Sequence, residues 1–173
     1  LNKNGSNFMV IHQCAYATNN IASPEAGLFF ASDGFLYGAG QYGGASNAGA
    51  IFRMDLNGGN FTIIHSLSSG EGDYPGASVI EGTNGALYGV GYQGGISNVG
   101  TIFKLDKNGG NFSVIHHFAG RFGHDGADPL ANLAKGPNGK LYGTTSSGGN
   151  SGYGVVFSID HNGSNYTVLH HFG

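Results

Sequence analysis

Residues Asn57–His65 read NGGNFTIIH, and the chain repeats that phrase with small changes. Asn108–His117 reads NGGNFSVIHH, Asn162–His171 reads NGSNYTVLHH, and an earlier copy at Asn4–His12 reads NGSNFMVIH. Each copy opens on an Asn-Gly turn and continues into an extended run. In Asn111–Phe118, Phe112, Val114, His116 and Phe118 fall on one face of a strand and Ser113, Ile115 and His117 on the other. Both faces carry apolar residues, so the strand is expected to lie in a sheet covered on both sides.

Working outward, the phrase closes a longer unit. Tyr37, Tyr88 and Tyr142 mark a Leu-Tyr-Gly element at spacings of 51 and 54 residues. This divides the chain into 1–20 (the tail of a preceding unit, with Leu1 aligned to Met54, Leu105 and Ile159), 21–73, 74–127 and 128–173. Each full unit reads as four short strands, in the second Ala77–Glu81, Ala86–Gly91, Gly100–Leu105 and Asn111–Phe118. Asp33-Gly34, Asn84-Gly85 and Asn138-Gly139 join the first two strands, and such pairs supply the positive φ of a tight hairpin. No window has a helical period. The expectation is an all-β chain of β-propeller-type blades, three four-stranded repeats plus one leading strand at Asn7–His12. A β-trefoil is the alternative, although the Gln-x-Trp signature is missing because the chain has no Trp. Leu36, Leu87, Leu141, Phe52, Phe103 and Phe157 are expected between sheets.

Composition narrows the function. Of 173 residues only 10% are charged and 34 are Gly, with a net charge of -3, so there is no basic footprint for nucleic acid. The apolar runs are far shorter than the ~20 residues of a membrane span. Any leader peptide is expected to have been removed or to lie outside this segment. Cys14 is the only cysteine, which excludes an internal disulfide and a multi-Cys zinc site. Sparse charge with abundant Asn, Ser and Thr points to the extracellular space or the cell surface.

The succession Pro-x-Ala-x-(Leu/Val), (Asp/Asn)-Gly-x-Leu-Tyr-Gly, Gly-Gly, Gly-x-(Ile/Val)-Phe and Asn-(Phe/Tyr)-(Thr/Ser)-(Val/Ile)-(Ile/Leu)-His resembles the GloVer-type tandem repeat over essentially the whole chain. The resemblance implies propeller-like repeats in secreted or surface-anchored bacterial proteins. It implies no activity and no catalytic residues.

Gly38-x-Gly40-x-x-Gly43 and Gly89-x-Gly91-x-x-Gly94 fit a dinucleotide fingerprint only if a helix follows. None does, and they read as loop glycines. His65, His116 and His170 read as core rather than metal ligands, because adjacent pairs such as His116-His117 point to opposite faces. Asp55, Asp106 and Asp160 fill turns. Glu71, Asp73, Asp125 and Asp128 remain as carboxylates, but nothing pairs them for acid–base work. No catalytic residue, metal or cofactor is therefore expected. Asn60, Asn111 and Asn165 form glycosylation sequons at one repeat position, and Asn4 and Asn162 add two more; each is also a natural turn residue. In the loops between strands two and three, Gln41, Tyr42, Asn47, Tyr92, Gln93, Asn98 and Tyr153 combine flat aromatics with amides, a composition suited to a sugar ring. The expected function is a non-enzymatic extracellular module with a structural or interaction role. It would self-associate, or form part of a larger propeller or filament, because the first and last of three blades each leave a face uncovered. The alternative is a lectin binding glycans through those loops.

Overall fold

A computed structural model describes Asn4 and residues 6–16 and 19–173. Leu1, and with it the start of the leading repeat, lies outside the described residues. Three four-stranded antiparallel sheets follow one another along the chain. Blade 1 contains β2 (Phe29–Phe30), β3 (Leu36–Gly40), β5 (Ala50–Met54) and β6 (Thr62–Ser66) in that spatial order, while β1 (Ile21–Ala22) pairs separately with β4 (Tyr42–Gly43). Blade 2 contains β7 (Ile80–Glu81), β8 (Leu87–Gly91), β9 (Thr101–Leu105) and β10 (Ser113–His117). Blade 3 contains β12 (Ala134–Lys135), β13 (Leu141–Thr144), β15 (Val155–Ile159) and β16 (Thr167–His171), with β11 (Gly126–Ala127) paired to β14 (Ser147–Gly148). A 3-10 turn at Gly120–Gly123 is the one helical element among the described residues.

The hydrophobic clusters lie between blades. Tyr37, Ala39, Ile51 and Leu67 of blade 1 meet Val79, Leu87, Phe103 and Leu105 of blade 2. Tyr88, Val90, Ile102 and Phe118 of blade 2 meet Leu133, Leu141, Phe157 and Ile159 of blade 3. A third cluster sets Ile11 and Cys14 against Phe52, Met54 and Leu36 of blade 1. Fully burying one such Leu or Phe is worth about 1.5–3 kcal/mol, so a blade without a neighbour loses much of its stabilisation. Leu36 departs from expectation by being half-buried where Leu87 and Leu141 are enclosed. Only a single segment, not a blade, covers its side.

Four further features differ from the sequence reading. The inner strands have two residues rather than five, because Pro24, Pro75 and Pro129 interrupt the approach after Ser23, Tyr74 and Asp128, all at φ of 50–57°. Residues 7–12 form no strand, since no strand among the described residues pairs with them. Gly38, Gly40, Gly89 and Gly91 are not loop glycines but lie within β3 and β8. A Cβ at Gly38 or Gly89 would stand 2.5 Å from the ring of Phe52 or Phe103, so the strand must be bare there for the Phe to fit. Finally, strict alternation fails in every fourth strand. Ile51 pairs His65 and Phe52 pairs Ile63, leaving Ile64 as the extra residue of a β-bulge. Ile115 and Leu169 are the extra residues of β10 and β16.

Candidate interaction site

The bulges build the joints between blades. The carbonyls of Ile64 and Ile115 lie against the hairpin glycines Gly109 and Gly163 of the next blade, and Ile11 lies likewise against Gly58. A Cβ on any of these three glycines would overlap that carbonyl oxygen. Next to each of these carbonyls a histidine stacks flat on an aromatic ring of the following blade. His12 lies 3.8 Å from Phe61, His65 3.9 Å from Phe112 and His116 4.0 Å from Tyr166, with interplanar angles of 9°, 4° and 7°. The following loop supplies each histidine with an oxygen: Asn20 at 3.1 Å, Glu71 at 3.3 Å and Asp125 at 3.0 Å. The His65–Glu71 approach lacks hydrogen-bond alignment, since Nε2 of His65 makes no hydrogen bond. A third element pins the far end. The Tyr37 hydroxyl reaches the Lys107 carbonyl at 3.2 Å, and the Tyr88 hydroxyl donates to the His161 carbonyl at the same distance. Burial first, then the hydrogen bond to Asp33, pushes the Tyr37 phenol up to about 12. Burial and the nearby Asp125 charge raise Tyr166 as well.

Blade 3 repeats the donor half of this joint with nothing opposite it among the described residues. Phe172 is 42% exposed where its counterparts Leu67 and Phe118 are 0% and 1%. Val156 and Tyr142 are only half-buried, Leu169 is 52% exposed, and His170 has no ring of another blade against it. His170 is therefore exposed rather than core as expected, and its ring meets only Phe172 of its own blade. Asn138 donates to the Tyr142 hydroxyl at 2.8 Å, but no carbonyl accepts from it among the described residues. The receiving half on blade 1 is thinly covered. Leu28 is 47% exposed, whereas its counterparts Val79 and Leu133 are 0% and 4%. A cleft of about 290 Å³ opens there between the leading segment and Pro24, Leu28 and Phe52.

The loop residues are less convergent. Gln41, Tyr42, Tyr92 and Gln93 are half-buried and Tyr153 is exposed. Asn47 and Asn98 sit at φ of 54° and 56° and accept from the Gly43 and Gly94 amides at 3.0 and 3.2 Å, which makes them turn formers. No ring contact joins Tyr42 to Tyr92 or Tyr153. Tyr42 instead packs at 5.3 Å from Tyr74 and 6.0 Å from Tyr16, two residues that sequence reasoning missed. The larger cleft on this side, about 760 Å³, is lined by Ser97, Asp128 and Ser147 and by none of the expected residues.

Most acids are occupied. Asp55, Asp106 and Asp160 each accept from the side-chain amide of Asn60, Asn111 or Asn165 at 2.7 Å. Those asparagines have φ near 50°, so turn geometry accounts for them. Asn4 and Asn162 accept from the amide and hydroxyl of Ser6 and Ser164. Glu71 holds the Ser68 amide and hydroxyl, and Asp125 holds the amides of Ala119 and Gly120. Asp73 keeps one buried oxygen unpaired, and burial raises its carboxyl. Among the described residues no three His, Cys, Asp or Glu gather as an ion site.

This repeated architecture is that of a propeller-type tandem-repeat protein. The chain belongs to the Gloeobacter/Verrucomicrobia repeat family, whose model matches residues 1–173. Among solved structures it is similar to a chain of a nidogen/laminin complex (TM-score 0.60, 17% identity, 88% of this chain and 49% of that one). It is also similar to XC5397, a gluconolactonase from Xanthomonas campestris (TM-score 0.56, 17% identity, 93% of this chain and 50% of that one). The chain thus spans about half the length of either structure. No curated protein matches it.

Proposed function

We propose that the chain is a non-enzymatic, extracellular interaction module that works by having its blade stack continued, through self-association into a larger propeller. The observation that carries this reading is the open face of blade 3, where Phe172 is 42% exposed against 0% and 1% at its equivalents. Apolar patches of this kind mark interaction surfaces. One similar structure belongs to a protein–protein complex, in keeping with such a role. The other is a gluconolactonase, but most of the carboxylates here are committed to turns and joints, which argues against turnover. The extracellular placement rests on the low charge. Light scattering over a concentration series tests association: a soluble 17.8 kDa species at every concentration, binding no apolar dye, overturns it.

A second reading, a glycan-binding lectin, is favoured by the Tyr16–Tyr42–Tyr74 cluster beside Gln41. A glycan array separates the two readings. Saccharide binding that disappears with Tyr42→Ala and Tyr74→Ala supports the lectin, and no binding to any glycan eliminates it.

A further inference from the structure

The leading segment and β16 are two versions of one element. NGSNFMVIH at Asn4–His12 and NGSNYTVLH at Asn162–His170 differ at three positions, Phe8, Met9 and Ile11. Residues 11 and 12 make on blade 1 the two contacts that β6 makes on blade 2 and β10 on blade 3: the carbonyl against the hairpin glycine and the histidine on the aromatic ring. The segment does so without a sheet behind it, leaving Phe8, Met9 and Val10 exposed at 66–75% and Leu28 uncovered. A whole blade would cover both.

We propose that the open face of blade 3 docks a second copy of this chain on the Gly58–Phe61 face of its blade 1, and that the leading segment is a stand-in expelled when the partner's β16 takes its place. The proposal rests on the self-association reading and adds the partner surface and the exchange. In the docked pair, Leu169 lays its carbonyl on Gly58 of the other copy, His170 stacks on its Phe61, and the Tyr142 hydroxyl donates to its Leu56 carbonyl, the position equivalent to Lys107 and His161. Neither half carries a charged side chain among these residues, so the net charge of -3 on each copy is not brought together at the joint. The joint is head-to-tail and therefore forms twice in a closed pair. Two copies supply six blades, from three in each, within the roughly four to eight that close a propeller. The structures with this fold are about twice as long as this chain.

Cys14 reports the exchange. It packs, half-buried, beneath the leading segment against blade 1, and burial raises its thiol. Light scattering and the rate of Cys14 labelling by a thiol-reactive disulfide dye should be measured together across a dilution series. The expected result is a species of twice 17.8 kDa whose Cys14 labels at least several-fold faster than that of the dilute single copy. Leu169→Asp, at a side chain exposed in the single copy, should stay single and label slowly at all concentrations, with His170→Ala as a second, milder variant. A wild-type chain that never associates overturns the self-association reading and this proposal with it. A pair whose Cys14 labels no faster, or that survives Leu169→Asp, leaves self-association standing and overturns the exchange. Open-ended growth beyond two copies overturns the closed ring.

Discussion

Gly109→Ala tests whether the blade joints, rather than the individual sheets, hold the molecule together. Gly109 lies in the β9–β10 hairpin at φ +87°, and an added methyl would overlap the Ile64 carbonyl of blade 1. Two costs follow. An L side chain in the left-handed region costs about 1–2 kcal/mol. Overpacking against a backbone atom that cannot rotate away adds about 1–3 kcal/mol. Gly85→Ala supplies the control: Gly85 sits in the β7–β8 hairpin at φ +81°, and its methyl would have only the Glu81 carboxylate at 4.0 Å for company. That variant carries the first cost alone. For a chain of this size each kcal/mol moves the melting temperature by about 2–4 °C. Gly109→Ala should therefore melt roughly 2–12 °C below Gly85→Ala, read by circular dichroism under identical conditions. Equal melting points for the two variants would show that the joint at Ile64 contributes nothing beyond the local turn.

Three other expectations concern the joints and the hairpins that form them. Burial alone would raise the Glu81 carboxyl, but the Lys107 ammonium at 2.7 Å and the Ser32 amide and hydroxyl bring it down to about 2. Because its folded value is depressed, Glu81 stabilises the fold fully above about pH 4.5, and that contribution fades as the pH falls toward 2. Urea midpoints over that range should fall more steeply for the wild type than for Glu81→Gln. At Asn111, the Gly variant loses only the bond to Asp106, about 1 kcal/mol, while the Ala variant adds about 1 kcal/mol or more for φ 50°; urea unfolding should rank them in that order. Tyr88→Phe removes the pin to the His161 carbonyl and should cost about 0.5–1.5 kcal/mol by the same assay.

The features legible in the sequence are those set by local chemistry. The Asn-Gly and Asp-Gly turns, the Leu-Tyr-Gly element and the Phe at 52, 103 and 157 describe one blade well, because each acts within a hairpin or on an adjacent strand. What escaped was non-local or depended on register. A run such as Ile63-Ile64-His65 contains its bulge residue without marking it, since either apolar residue satisfies a two-faced strand. The leading phrase aligns with a fourth strand without a gap, yet no strand among the described residues pairs with it. Gly58, Gly109 and Gly163 read as hairpin glycines, and they are; their second role against a neighbouring carbonyl needs the next blade in place. Tyr16 and Tyr74 come to Tyr42 from two different stretches of chain, and no spacing announces that meeting.

The repeats agree where blades touch and differ where loops face outward, and that contrast bears on function. The histidine, the aromatic ring, the hairpin glycine and the bulge recur at both joints between blades because one geometry must be satisfied each time two blades meet. The outer loops obey no such requirement: Gln41-Tyr42 becomes Tyr92-Gln93 and then Ser146-Ser147, while Ser23, Tyr74 and Asp128 occupy one backbone conformation with three chemistries. A binding surface assembled from identical repeats would present the same group three times; this one does not. The chemistry that recurs is the chemistry of continuation from blade to blade. It is presented once more, complete on the donor side, by Tyr142, Leu169, His170 and Phe172 on a face that no blade of this chain covers.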